Sequence, residues 1–93
     1  MNDQVRELLL DYNITLHEEG VLGVEHSDLE GPDVPVEDYL EHTRWMVLRM
    51  IEHPDEFDAG KLNRWLGFVQ GVLWMNGNRT IQRLRDETRG ICE

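Results

Sequence analysis

The stretch VPVEDYLEHTRWMVLRMIEHPDEFDAGKLNRWLGFVQGVLWMNG, residues 34–77, carries two apolar helical periods on either side of one proline. In its first half Val36, Leu40, Thr43, Val47, Met50 and Ile51 recur at steps of three and four, the spacing of one helix face. That pattern predicts a helix from about Val36 to Glu52, opened by Asp33 with Pro35 and stopped by Pro54, which cannot continue the hydrogen-bond ladder. In the second half Leu62, Trp65, Leu66, Val69, Val72 and Leu73 form a similar stripe. Asp58 suits its N-cap, and Asn76-Gly77 supplies a left-handed stop, so a second helix is expected from about Ala59 to Met75. Both helices carry apolar residues beyond these stripes. Trp45, Met46, Phe68, Trp74 and Met75 form a second apolar surface, more than one small chain has reason to expose. The expectation is an all-α fold built on an antiparallel two-helix hairpin. The protein is expected to be a homo-oligomer joined through Trp45, Met46, Phe68 and Met75.

The flanking sequence reads as shorter helices. Asn2 can cap a helix from about Asp3 to Tyr12, with Val5, Leu8 and Leu9 on one face. The residues that follow, broken by Gly20, Gly23, Gly31, Pro32 and Pro35, show no sustained period and read as a long acidic loop. Loops of that length in a small domain tend to carry function. Thr80 caps a closing helix from Ile81 to about Arg89, with Ile81 and Leu84 directed inward and Gly90 at its end. A chain of 93 residues supports one core, so residues 1–93 are expected to form one domain. Its parts are a helix and acidic loop (1–35), a hairpin (36–76) and a closing helix (80–90). Gly67 and Gly71, four apart inside the second long helix, each cost about 1 kcal/mol against alanine. Something is expected to pack closely there, either the partner helix or a ligand, with helix packing the favoured reading.

The net charge of −10 is unevenly placed. Residues 1–42 hold twelve acids and one base, whereas Gly60 to Cys92 holds six bases and two acids. This argues against duplex DNA as a bulk partner and leaves the C-terminal part able to meet a small anion or a phosphorylated ligand. No apolar run approaches a bilayer span, the N-terminus lacks a basic leader, and Cys92 is the single cysteine. A cytoplasmic protein without membrane contact is the expectation. His17, His26, His42 and His53 lack metal-ligand spacing, and Asp28, Glu30 and Asp33 miss the calcium-loop pattern. Cys92 lies at a frayed terminus, where no oxyanion site is expected to be pre-organised around it. A non-enzymatic protein without cofactor or metal is therefore expected.

Lys61 to Thr80 is the densest constellation. Lys61 and Arg64 lie one turn apart beside Trp65, and Asn63, Gly67, Gln70 and Trp74 fall on one helix face. Amide groups, indoles and nearby cations are what a planar, phosphate-bearing ligand needs. Lys61, Arg64, Trp65, Gln70, Trp74, Asn76 and Arg79 are the candidate ligand-binding residues. Packing and interprotomer hydrogen bonding account for the same residue types.

The segments KLNRWLGFVQGVLWMNG (61–77) and TIQRLRDETR (80–89) resemble small proteins encoded by tailed phages and prophages. The order VLRMIEHPD (47–55), a short loop, and a helix ending LWMN (73–76) is similar to the helical hairpin of phage anti-defence sponges. Those proteins sequester cyclic or ADP-ribose-derived signals of CBASS and Thoeris immunity between protomers. The resemblance covers Val47 to Ile81, and its markers are Trp74, Asn76 and the proline turn. It implies a sponge for a nucleotide-derived signal, acting in a host cytoplasm. The acidic N-terminal half supports a different expectation, an inhibitor that imitates nucleic acid and binds a host defence protein such as a nuclease or CRISPR-type effector. A structural or regulatory oligomer without a ligand is the third.

Overall fold

The computed structural model describes residues 1–26 and 34–89. All regular structure among them is helical: α1 (Asp3–Glu18), α2 (Val36–Glu52), a 3-10 turn (Pro54–Glu56), α3 (Ala59–Met75) and α4 (Ile81–Thr88). The polar signals at the helix ends act as the sequence suggests. Asn2 Oδ1 accepts from the Val5 amide at 2.8 Å, Asp58 Oδ1 from Lys61 at 2.7 Å, and Thr80 Oγ1 from Arg83 at 3.1 Å. Each satisfies one of the amides that a helix start leaves without a partner. Pro54 ends α2 by opening the 3-10 turn. Asp33, expected to help open α2, lies outside the described residues, and α2 begins after Pro35 without a side-chain cap.

The first helix corrects the sequence reading. It continues six residues past Tyr12, through NITLHE, to Glu18. Asn13, Ile14 and Thr15 are weak helix formers, but Val5, Leu8, Leu9, Tyr12 and Leu16 keep one apolar face, and all five are buried. Tertiary burial outweighs the local propensity. The helix stops at Gly20, whose φ of +80° is the left-handed conformation that glycine adopts without strain. The Gly20 amide donates to His17 O at 2.9 Å and the Val21 amide to Leu16 O at 3.1 Å, the paired bonds of a Schellman stop. Gly77 ends α3 by the same device, with bonds from Gly77 to Trp74 O and from Asn78 to Leu73 O.

The core is shared by three helices. Residues of α1 meet Met46, Val47, Met50 and Ile51 of α2 and Leu66, Val69 and Leu73 of α3. Helices α1 and α2 run in opposite directions, because Arg6 donates to the Ile51 carbonyl at 3.3 Å while Arg44 Nε reaches Asn13 Oδ1 at 2.9 Å. The beginning of the chain is therefore core, and not an appendage of the two long helices. Met46, expected on an oligomer surface, is only 7% exposed and belongs to this core. In α4, Leu84 packs against the core, but Ile81, expected to point inward, is 48% exposed. Among the described residues no helix is long and apolar enough to cross a membrane.

The extension of α1 has a measurable consequence. Leu16 is fully buried, four residues beyond where the sequence pattern ends the helix. Leu16→Ala is expected to lower stability by about 2–5 kcal/mol in a denaturant titration. A loss near zero would show that the last turns of α1 are peripheral.

Candidate functional site

Two recesses flank the α2–α3 pair. The first is an apolar groove of about 600 Å³. Val36, Tyr39 and Leu40 from the start of α2 form one wall; Phe68, Val72, Trp74 and Met75 of α3 form the other. Gly67 and Gly71 lie between, and a Cβ at either would meet no atom within 4 Å. Within the chain these glycines do not serve close packing, contrary to the sequence expectation. They leave the groove open. Phe68 and Trp74 are each 48% exposed and Met75 is 77% exposed, so the second apolar surface of α3 is uncovered.

The second recess, a cleft of about 630 Å³, lies where α2, the 3-10 turn and α3 meet. Its floor is aromatic. Trp45 of α2 and Trp65 of α3 have ring centroids 6.0 Å apart, and Phe57 meets Trp65 edge-on at 4.8 Å. His42 stacks on Trp45, with ring centroids 5.3 Å apart. Lys61, one turn before Trp65, places its ammonium 4.7 Å from the Phe57 ring centre and 5.4 Å from that of Trp65. Among the described residues no carboxylate stands within salt-bridge distance of it, and the negative faces of the two rings attract it as cation–π partners. Arg49 and Glu56 pair across the cleft at 2.7 Å, and Glu25 completes its rim.

Glu25 arrives on a strap, residues 21–26, tied down along α2. Arg44 Nη1 donates to Val21 O at 2.7 Å, the Val24 amide to Glu41 O at 3.3 Å, and the His26 amide to His42 Nδ1 at 3.1 Å. Burial pushes the His42 pKa below its ordinary value, which keeps the ring neutral and Nδ1 able to accept. Gly23 lets the strap pass close to α2, since a Cβ there would stand 2.6 Å from Leu48 Cδ1. The remainder of the expected acidic loop, residues 27–33, lies outside the described residues, as does Cys92.

The sequence-predicted ligand residues do not converge on one place. Lys61 and Trp65 share the cleft. Arg64 is exposed, its guanidinium beside Gly60 at the start of α3. Trp74 and Asn76 border the apolar groove, and Asn76 also donates to Glu19 at 3.3 Å and to Asn78 at 2.8 Å. Gln70 donates to the Tyr12 hydroxyl at 3.2 Å and lines, with Asn63, a separate recess of about 220 Å³. Arg79 is 5% exposed. It bonds Asp11 at 2.9 Å, Thr15 at 3.1 Å and Glu87 at 3.2 Å while lying 5.4 Å over the Tyr12 ring. Its guanidinium is consumed in holding helices together, so it is not free for a ligand. Trp45, expected on an oligomer surface, faces Trp65 and the cleft. Arg49, Phe57 and Glu25 were missed as cleft residues; the i, i+4 pairing of Lys61 with Trp65 was the local signal that pointed there.

Comparison with protein-family models, with curated proteins and with solved structures finds no match.

Burial raises the pKa of the Tyr12 hydroxyl beside Arg79 from 10.0 to about 12. The folded state holds this proton more tightly than the unfolded chain does, so the linked stability is complete below pH 10 and declines as pH rises towards 12. Stability measured across that window is expected to fall more steeply for the wild type than for Tyr12→Phe. Parallel curves would show that Tyr12 does not control the alkaline limit.

Proposed function

We propose that this chain is a non-catalytic binding protein that captures a planar, phosphate-bearing small molecule in the Trp45–Trp65–Phe57 cleft. The observation that carries the reading is Lys61, a cation held over aromatic rings at the mouth of a recess large enough for a nucleotide. An aromatic floor offers stacking to any base, worth about 1–3 kcal/mol. A cation without a carboxylate partner offers a charge-assisted bond to phosphate. Arg64, solvent-exposed one turn away, adds positive field at the approach. A nucleotide-derived immune signal, sequestered in the manner of phage sponges, is the biological form of this reading.

Self-association belongs to the same proposal. In it α2 and α3 are an antiparallel hairpin whose outer face is closed by a second copy. Phe68, Trp74 and Met75 supply a ridge and Gly67 and Gly71 an adjacent hollow, so one surface carries both halves of a self-complementary contact. Two-fold dimers require that property.

Tryptophan fluorescence titrated with a panel of cyclic dinucleotides and ADP-ribose derivatives tests the ligand reading. At least one member is expected to quench saturably, with Lys61→Ala weakening it tenfold or more, equivalent to about 1.4 kcal/mol. Binding that Lys61→Ala and Trp65→Leu leave intact would place the ligand elsewhere. No saturable binding across the panel would remove the nucleotide reading.

A further inference from the structure

A different cluster lies where the strap ends. His26 Nε2 stands 3.0 Å from Glu41 Oε1. Asp38, one helical turn before Glu41 on α2, brings a further carboxylate, and the donor atoms of all three lie within 4.8 Å of one another. We propose that His26, Asp38 and Glu41 form a divalent transition-metal site, with zinc as its reference ion.

Three features support this. The first is chemistry: one imidazole nitrogen and two carboxylates are a donor set that zinc accepts, with a fourth position left for water. Calcium, which needs six to eight oxygens, fits it poorly. The second is electrostatics. Asp38 and Glu41 are like charges at i, i+3, a mutually repulsive arrangement on a helix. His26 reaches only Glu41 by hydrogen bond, and a divalent ion would compensate both carboxylates at once.

The third is preorganisation. The His26 ring is not carried on a free loop, because its own amide is bonded to His42 Nδ1 and the strap before it is fixed by Val24 and Val21 to α2. All three side chains are partly buried, so the ion would exchange some of its water for protein without being sealed off. Tetrahedral zinc at its usual bond lengths places donors about 3.4 Å apart, and the donor atoms here already stand within 4.8 Å of one another. The four histidines give no metal spacing in the sequence because the site joins one residue of the strap to two of a helix. An ion bound there would also fix Glu25, the neighbour of His26, at the rim of the aromatic cleft.

The test is calorimetric titration of chelator-treated full-length protein with Zn²⁺ and, separately, Ca²⁺, together with thermal melts. One Zn²⁺ per chain is expected, with a raised Tm and no comparable response to Ca²⁺. His26→Gln, Asp38→Asn and Glu41→Gln are each expected to weaken Zn²⁺ binding at least tenfold and to abolish its effect on Tm. Circular dichroism of the variants confirms that they are folded, and a variant that is not is replaced by its alanine counterpart. Failure of Zn²⁺ to bind would overturn the proposal by leaving His26–Glu41 as a simple fastener. Binding that all three substitutions leave unchanged would also overturn it.

Discussion

The guanidinium of Arg79 is the contact on which the arrangement of the helices turns. It sits just past the α3 stop, yet its nitrogens reach Asp11 and Thr15 on α1 and Glu87 on α4, and its plane lies over the Tyr12 ring. Its own amide donates to Leu73 O, so the side chain is fixed from the helix that precedes it. Arginine suits this position because it stays charged at every relevant pH and offers five donors in a planar fork. Removing it would leave Glu87 with Arg83, 3.7 Å away, as its remaining cation and would take away the direct tie between α1 and α4. Beside it, Gln70 to Tyr12 and Asn76 to Glu19 add polar links between α1 and α3.

With α1 locked in this way, the inner faces of α2 and α3 are spent on it. The fully buried set is small, Tyr12, Leu9, Leu16, Met50, Leu73, Val47, Val69 and Thr43. A core of that size leaves the outer apolar stripe of α3 without cover, and the short α4 leaves Ile81 exposed as well. The groove is therefore a direct result of how few helices share the core, and it is the face on which a second copy is proposed to sit. The aromatic cleft has a different origin. It arises at the bend between α2 and α3, where Pro54 and the 3-10 turn bring Phe57 back onto Trp65.

Local signals were readable. Asn2, Asp58 and Thr80 cap as their chemistry predicts, and Pro54 and Gly77 stop helices because those effects need only neighbouring residues. The end of α1 was misplaced because Asn13-Ile14-Thr15 is locally unfavourable to helix, while the burial that overrides it comes from α2 and α3. Site residues were harder still. Nothing in the sequence distinguishes an arginine that binds a ligand from one like Arg79 that is buried among carboxylates. Gly67 and Gly71 suggest close contact by type but show open space by geometry. Lys61 and Trp65 were identified because both lie on one helix at adjacent turns, whereas Trp45 and Arg49 meet them only through the fold.

The small helical body is proposed to meet its own copy through the apolar groove and to hold a ligand in the aromatic cleft. Native mass spectrometry of protein purified from cells without refolding reads both features in a single spectrum. The expected result is an assembly at a multiple of the 11.0 kDa chain mass, carrying additional mass in the nucleotide range. Phe68→Glu is expected to yield the single chain, since an uncompensated charge in an apolar contact costs several kcal/mol. A bare 11.0 kDa species from the wild-type protein would contradict this proposal.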